Sequence, residues 1–286
     1  MSRLLVTGAA GMLGRDLLTV LASRADLSVT ATTRAELDVT DAEAVRAAVT
    51  GHDLVINTAA WTDVDGAETQ EKAATAVNGA AVAHLAAACA TTGARMIHVS
   101  TDYVFRGDAV APYPEDAPTA PINAYGRSKL AGEQAVTRLL PEAGYVVRTA
   151  WLYGEHGPNF VATMLRLADE RQYLDVVDDQ RGQPTWSYAL AEQLVALADA
   201  ALAGRAAPGV YHGTASGETT WFGLARAVFA LRGLDPERVR PTTSDRYRRP
   251  APRPAYSVLA HGRWTAAGLP PLGDWRPALT EALGRR

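Results

Sequence analysis

Tyr125-Gly-Arg-Ser-Lys129 places a phenol and an amine four residues apart, and on a helix that spacing puts both on one face. The pairing has a chemical purpose. A tyrosine titrating near 10 is a poor acid or base at neutral pH, and a neighbouring ammonium stabilises the phenolate and draws its pKa toward useful values. Thr101, at the end of an apolar run about two dozen residues upstream, adds a hydroxyl able to hydrogen-bond a reacting oxygen. Tyr-x-x-x-Lys alone is common by chance, so its weight rests on the company it keeps.

That company is a glycine-rich turn. Gly8, Gly11 and Gly14 lie between the apolar run 4–7 and residues 15–23, where Leu17, Leu18, Val20 and Leu21 fall at helical spacing. Glycines placed so permit a tight turn, close approach of a pyrophosphate and close helix–sheet packing, with the pyrophosphate on the helix N-terminus. The residue about 20 positions beyond the glycines selects the cofactor: an acid grips a ribose hydroxyl, an arginine accepts a 2′-phosphate. Arg34 holds that place, with Glu36 and Asp38 the nearest acids. NADPH is therefore expected, with NADH or dual use left open. Asp38, with Val39 beside it, is expected to face the adenine edge. Asn57, Ala59 and Ala60 end the next apolar strand, where small residues let the backbone lie against the cofactor.

These residues need a scaffold. Strand patterns at 28–33, 54–59 and 95–100 alternate with helical patterns at 41–49 and 71–91, which predicts an α/β fold: a Rossmann-type doubly wound parallel sheet with helices on both faces. A Pro- and Asp-rich loop, 106–123, then leads to a helix at 126–140 and a strand at 145–150. Beyond residue 153 the alternation weakens, with helices at 160–171, 188–203 and 221–231 and strands at 174–177 and 209–212. This predicts a dinucleotide-binding domain over 1–152 and a smaller, mainly substrate-binding α/β lobe over 153–286, with an interleaved boundary. The basic, proline-rich piece 245–254 should be a loop crossing the surface or a cleft. Its arginines at 246, 248, 249 and 253 suit a diphosphate, although such runs also occur as plain solvated loops.

Composition excludes other classes. The 286 residues carry a formal net charge of -3, which gives no pull toward nucleic acid. Cys89 is the one cysteine, so no disulfide can form within the chain, and a reducing, cytoplasmic setting is expected. No long apolar run free of polar interruption is evident, so no membrane span is expected. The six histidines show no ligand spacing. Trp221, after Thr219 and Thr220, reads as packing at a helix start.

The motifs together resemble the extended short-chain dehydrogenases/reductases, and more narrowly the dTDP-4-dehydrorhamnose reductase family. The resemblance rests on TGxxGxxG at 7–14, the stretch Asn57 to Glu68, Ser100 to Phe105, Tyr125 to Glu133, Trp151-Leu-Tyr-Gly154, Gln180 to Thr185 and Arg253-Pro254, and spans nearly the whole chain. It implies that Tyr125 protonates the C4 ketone oxygen of a nucleotide sugar, that Lys129 holds the nicotinamide ribose and tunes Tyr125, and that Thr101 hydrogen-bonds the reacting oxygen. Asp102 and Trp151 would shape the sugar pocket; Arg253 is the arginine of choice for the diphosphate. Gly11, Met12, Leu13, Asp38, Ala60, Trp61 and Thr62 would line the cofactor. Related dehydratases carry an Asp-Glu pair after the threonine; here Asp102 and Tyr103 follow Thr101, which argues against dehydration. Some family members hold magnesium at a dimer contact. Asp16 could belong to such a site, but Ala189 stands where the second acid would fall, and no metal is expected. A homodimer is in keeping with the family. The residues alone support a ketone reductase or alcohol dehydrogenase. The alternatives are a reductase of another 4-ketosugar nucleotide and a non-catalytic NADP-binding regulatory or scaffold subunit.

Overall fold

The computed structural model describes residues 1–285. Leu4, Leu5, Val6, Leu54, Val55, Ile56 and Val147 are apolar without alternation because the strands that carry them are covered on both faces, and each is fully buried. These strands are β1 (Ser2–Thr7), β3 (Leu54–Asn57) and β5 (Gly144–Thr149). With β2 (Leu27–Thr32), β4 (Arg95–Thr101) and the strand Gly209–His212 they form an all-parallel sheet in the order Gly209–His212, β5, β4, β3, β1, β2. From β1 the chain steps outward to β2 and then returns across β1 to β3. The C-terminal ends of β1 and β3 are thus the switch point at which doubly wound sheets bind ligands.

Helices fill both faces in chain order: α1 (Met12–Leu21), α2 (Ala42–Val49), α3 (Val64–Thr69), α4 (Glu71–Thr75), α5 (Ala81–Thr92), α6 (Ala124–Leu139), α7 (Phe160–Glu170), α8 (Ser187–Leu202) and α9 (Trp221–Leu231). On one face Leu13, Leu17 and Leu21 of α1 share a core with Leu190, Leu194 and Leu197 of α8. On the other, Val45, Val49, Val82, Leu85 and Val136 of α2, α5 and α6 pack together. A separate core joins Val161 and Met164 of α7, Leu224 and Val228 of α9, and Trp275 and Leu279 of the helix Trp275–Gly284. The chain beyond residue 152 therefore does two jobs: it builds this second core, and it returns Gly209–His212 and α8 to the first.

One reading of the sequence is corrected. The pattern at 71–91 is not one uninterrupted helix: a π-helical turn, Ala76–Ala80, separates α4 from α5. The bulge turns the Asn78 side chain inward, where its amide donates to the Trp61 carbonyl (3.0 Å) and to Ser128 Oγ (2.9 Å) while its oxygen accepts from Trp61 N–H (2.9 Å). Such bulges often serve functional sites, and this one clamps the segment after β3. The same stretch bears on membranes. Glu71–Thr92, 22 residues of mean hydropathy 1.4, is long and apolar enough to cross one by length and composition. In this fold the stretch is half-buried, with α5 lying against α2 and α6. The helix α3 gives little signal because Gly66 interrupts a short polar run; Asp63 Oδ1 starts it by accepting from Gly66 N–H at 2.9 Å.

Candidate active site

The turn after β1 has the form that a bound pyrophosphate needs. Gly8 takes φ +74°, and a Cβ there would lie 2.5 Å from the Ala59 nitrogen at the end of β3. A Cβ on Gly14 would lie 2.4 Å from the Gly8 carbonyl oxygen, so only glycine lets α1 approach the turn so closely. Gly11 meets only its own turn and no side chain caps the helix, which leaves the first N–H groups of α1 for an anion.

A cavity of about 1150 Å³ opens at this switch point. It brings together Gly8, Gly11, Met12, Leu13, Gly14, Arg34, Asp38, Val39, Ala59, Ala60, Trp61, Thr62, Tyr125 and Lys129, drawn from four separate stretches of sequence. The volume and the glycine cradle fit a dinucleotide. Arg15, Thr58, Asp63 and the segment Glu155-His156-Gly157-Pro158 line the same cavity; Thr58 and Asp63 fall within the stretch Asn57 to Glu68 without having been singled out, and residues 155–158 face the cavity only through the fold. Asn57 is buried at the end of β3. Its side-chain oxygen accepts from Thr7 Oγ1 (2.7 Å) and Ala59 N–H (3.1 Å), and its nitrogen faces His98 Nδ1 at 3.0 Å, tying together the ends of β1, β3 and β4.

At the far end of Arg34, the nearby acids are occupied. Glu36 accepts from the Thr33 backbone N–H and hydroxyl, both at 2.8 Å, and Asp38 Oδ1 accepts from the Thr40 N–H (2.9 Å) and hydroxyl (2.7 Å). These bonds hold both carboxylates below their ordinary pKa values. Arg34 itself is exposed on the cavity.

Asn123 starts α6 by accepting from Gly126 N–H at 2.7 Å, which places Tyr125 and Lys129 in its first turns above the end of β4. Lys129 is buried, and its Nζ donates to the Val99 carbonyl at 2.6 Å with His98 Nε2 at 3.5 Å. Burial lowers the amine to about 8, against the pull of the Glu133 carboxylate. The expectation that the ammonium would draw the Tyr125 pKa down is not met. Burial and the Asp102 carboxylate push the phenol up, opposed only by its hydrogen bond with Thr101, because Lys129 is turned onto the β4 backbone.

Thr101, Asp102, Trp151 and Arg253 lie outside this cavity's lining. Thr101 and Asp102 are buried, and Thr101 Oγ1 donates to Asp102 Oδ1 at 2.9 Å. Tyr103, which the sequence reading used only to set dehydratases aside, meets Tyr125 edge-to-face with ring centroids 6.0 Å apart. Trp151 has φ +46°, a left-handed backbone that is strained for a bulky residue. Its indole stacks on Trp221, centroids 3.6 Å apart, and covers Gly182, where a Cβ would lie 2.6 Å from the ring. Trp221 thus starts α9 and forms part of an aromatic shelf. Arg253 is ion-paired with Asp65 at 3.0 Å.

Burial raises the Asp102 carboxyl from 3.8 to about 6, partly offset by hydrogen bonds from Ser257, Thr101 and the backbone. A folded-state pKa above the unfolded one gives stability that is complete below 3.8 and lost as pH rises through about 6. Calorimetry of Asp102→Asn and wild type from pH 4 to 7 should show the wild type losing melting temperature relative to the variant across that window. Parallel curves would remove the raised pKa.

Among the described residues no group of three or more His, Cys, Asp or Glu is placed to hold a metal ion. Asp16 is buried and accepts the Ser187 hydroxyl.

Comparison with known proteins agrees with this geometry. The model of the RmlD substrate binding domain family matches residues 2–286. A dTDP-4-dehydrorhamnose reductase of Streptomyces griseus is 57% identical over 98% of this chain and 93% of its own. A dTDP-4-keto-6-deoxy-D-glucose reductase of Streptomyces niveus is 54% identical over 98% and 96%. The crystal structure of dTDP-4-dehydrorhamnose reductase from Bacillus anthracis in complex with NADP superposes with a TM-score of 0.94 at 34% identity, covering 100% of both chains. On the match of the family model to nearly every residue, the chain belongs to the dTDP-4-dehydrorhamnose reductase family of extended short-chain dehydrogenases/reductases.

Proposed function

We propose that the protein uses NADPH to reduce the C4 ketone of a dTDP-4-dehydro-6-deoxyhexose, converting dTDP-4-dehydro-L-rhamnose to dTDP-L-rhamnose. The observation that carries this reading is the single cavity joining the uncapped N-terminus of α1 and Arg34 at one end to Tyr125 and Lys129 at the other. When bound, the nicotinamide supplies a hydride to C4. The chain's residues do the rest. The raised pKa keeps Tyr125 protonated at neutral pH, the state a general acid needs to give its proton to the ketone oxygen. Thr101, close enough to oppose the rise of the Tyr125 phenol, would hydrogen-bond the reacting oxygen. Lys129, near 8, is matched to resupplying the proton and to holding a ribose hydroxyl. Asp102, Trp151 and Arg253 would contact the sugar and its diphosphate.

The similarity to the Streptomyces niveus enzyme favours a second substrate, dTDP-4-keto-6-deoxy-D-glucose. Loss of NADPH absorbance should be followed with each ketosugar, generated in situ. Turnover of the first above the second supports the proposal, the reverse order selects the second reading, and NADPH binding without turnover of either supports the regulatory subunit.

NADPH over NADH follows from Arg34 and from the engagement of Glu36 and Asp38 elsewhere. Arg34→Ala should raise KM for NADPH about tenfold or more, with little change for NADH, as expected for loss of a charge-assisted contact to phosphate. Equal effects on both cofactors would remove Arg34 from phosphate recognition.

A further inference from the structure

The proline-rich segment 245–254 leaves the second core and lands on α3, whose Ala67 packs with Ala124 and Tyr125. There Asp65 gathers three of its groups. Asp65 Oδ1 accepts from Ala251 N–H at 3.2 Å and pairs with Arg253 Nη1 at 3.0 Å, while Oδ2 pairs with Arg249 Nη1 at 3.2 Å. Arg253 Nη1 also donates to the Ala251 carbonyl at 2.9 Å, so its guanidinium is held from two sides. Beside it, the Pro252 carbonyl accepts from Asn123 Nδ2 at 3.0 Å, and Asn123 is the residue that caps α6. Glu68, also on α3, accepts from Ala124 N–H at 2.8 Å. The segment, α3 and the turn carrying Tyr125 are therefore one clamped unit.

The clamp is bonded to the turn that carries Tyr125. Tyr103, whose ring meets Tyr125, has its phenol raised mainly by burial and Asp102, with Arg253 opposing and Asp65 adding to the shift. Both members of the pair are thus within electrostatic reach of Tyr103. Their side chains are 17% and 23% exposed, whereas Arg249 is 50% exposed. Two guanidiniums share one carboxylate, which leaves a positive charge in excess. An arginine side chain carries about 2 kcal/mol of rotamer entropy, a cost reduced when its geometry is fixed before the ligand arrives.

We propose that Asp65 is a positioning residue for the substrate: it fixes the segment 249–254 on α3 and holds the Arg253 guanidinium, beside Tyr103, to receive the diphosphate of the nucleotide sugar. The inference rests on the reductase reading and adds to it a residue that touches neither cofactor nor sugar. An inter-lobe staple with no role in binding would show in stability alone.

The test uses Asp65→Asn, Asp65→Glu, Arg253→Met and the double variant Asp65→Asn/Arg253→Met. Each is assayed for kcat and KM with the ketosugar nucleotide, for NADPH binding by fluorescence, and for dTDP binding by calorimetry. Asp65→Asn should raise KM and the dTDP Kd roughly tenfold, with kcat within about twofold and NADPH binding unchanged. Asp65→Glu should recover part of the loss, and the double variant should be no worse than Arg253→Met. Unchanged KM and dTDP affinity in Asp65→Asn, tighter dTDP binding, or additive losses in the double variant would each overturn the proposal while leaving the reductase reading intact. A wild type that neither turns over a ketosugar nucleotide nor binds dTDP would overturn both.

Discussion

Tyr125→Phe should lower kcat by about 10³-fold, within the 10²–10⁴ range of a positioned general acid, while leaving NADPH affinity within about twofold. The substitution removes one oxygen and keeps the ring, so the edge-to-face contact with Tyr103 survives and α6 keeps its Asn123 cap. What disappears is the proton that must reach the ketone oxygen as C4 becomes tetrahedral. Lys129 does not replace it as the direct donor, because its Nζ is held on the Val99 carbonyl at 2.6 Å, one helical turn from the phenol, where it can only resupply a proton through the tyrosine. Steady-state rates with saturating ketosugar nucleotide, together with fluorescence titration of NADPH, check the prediction. A variant retaining more than about a tenth of the wild-type rate would move the acid to another group, and the protonated Asp102 below about pH 6 would be the first to examine. Loss of NADPH binding in parallel with rate would instead make Tyr125 a cofactor ligand and leave the acid unassigned.

The parts of this site that could be read from the sequence are those with a local reason. Gly8, Gly11 and Gly14 announce themselves because backbone conformation and contact distance tolerate no side chain at 8 and 14, and Tyr125 and Lys129 because helical spacing puts them on one face. The strand Gly209–His212 was visible as a strand, but a four-residue β pattern says nothing about its neighbour, and only the fold sets it beside β5. The π-helical turn at 76–80 was hidden because alanines suit any helix; it exists to serve Asn78, whose partners Trp61 and Ser128 are distant in sequence. Asp65 was likewise silent, since its three partners lie more than 180 residues away. The direction of the Tyr125 shift failed for a related reason. Proximity along a helix fixes which face Lys129 occupies, but the strand beneath determines where its amine points.

Glu133→Gln should be the most destabilising single change considered, lowering stability by about 3–5 kcal/mol, the cost of leaving a buried charge unpaired. Glu133 and Arg148 are 4% and 5% exposed, and the carboxylate receives Arg148 Nε at 2.9 Å, Nη2 at 2.7 Å and the Ser100 hydroxyl at 2.6 Å. The amide would keep the shape but lose the charge and turn a donor toward the guanidinium. Arg148 has no exit: its guanidinium lies 4.8 Å from the Phe105 ring, and its Nη1 lies 3.4 Å from His212, which burial holds neutral at about 3. Melting should fall by on the order of 10 °C, measured by calorimetry. Replacing both partners, Glu133→Leu with Arg148→Met, should recover most of the loss, since it removes the orphaned charge along with its counter-ion. The catalytic consequence separates from the structural one. Glu133 is the group that raises the Lys129 amine against burial, so even the stabilised double variant should carry its alkaline limb of kcat at lower pH than the wild type. An unmoved limb would break the link between this pair and Lys129, and a loss of stability below about 1 kcal/mol would show that Arg148 finds another anion or water when Glu133 is gone.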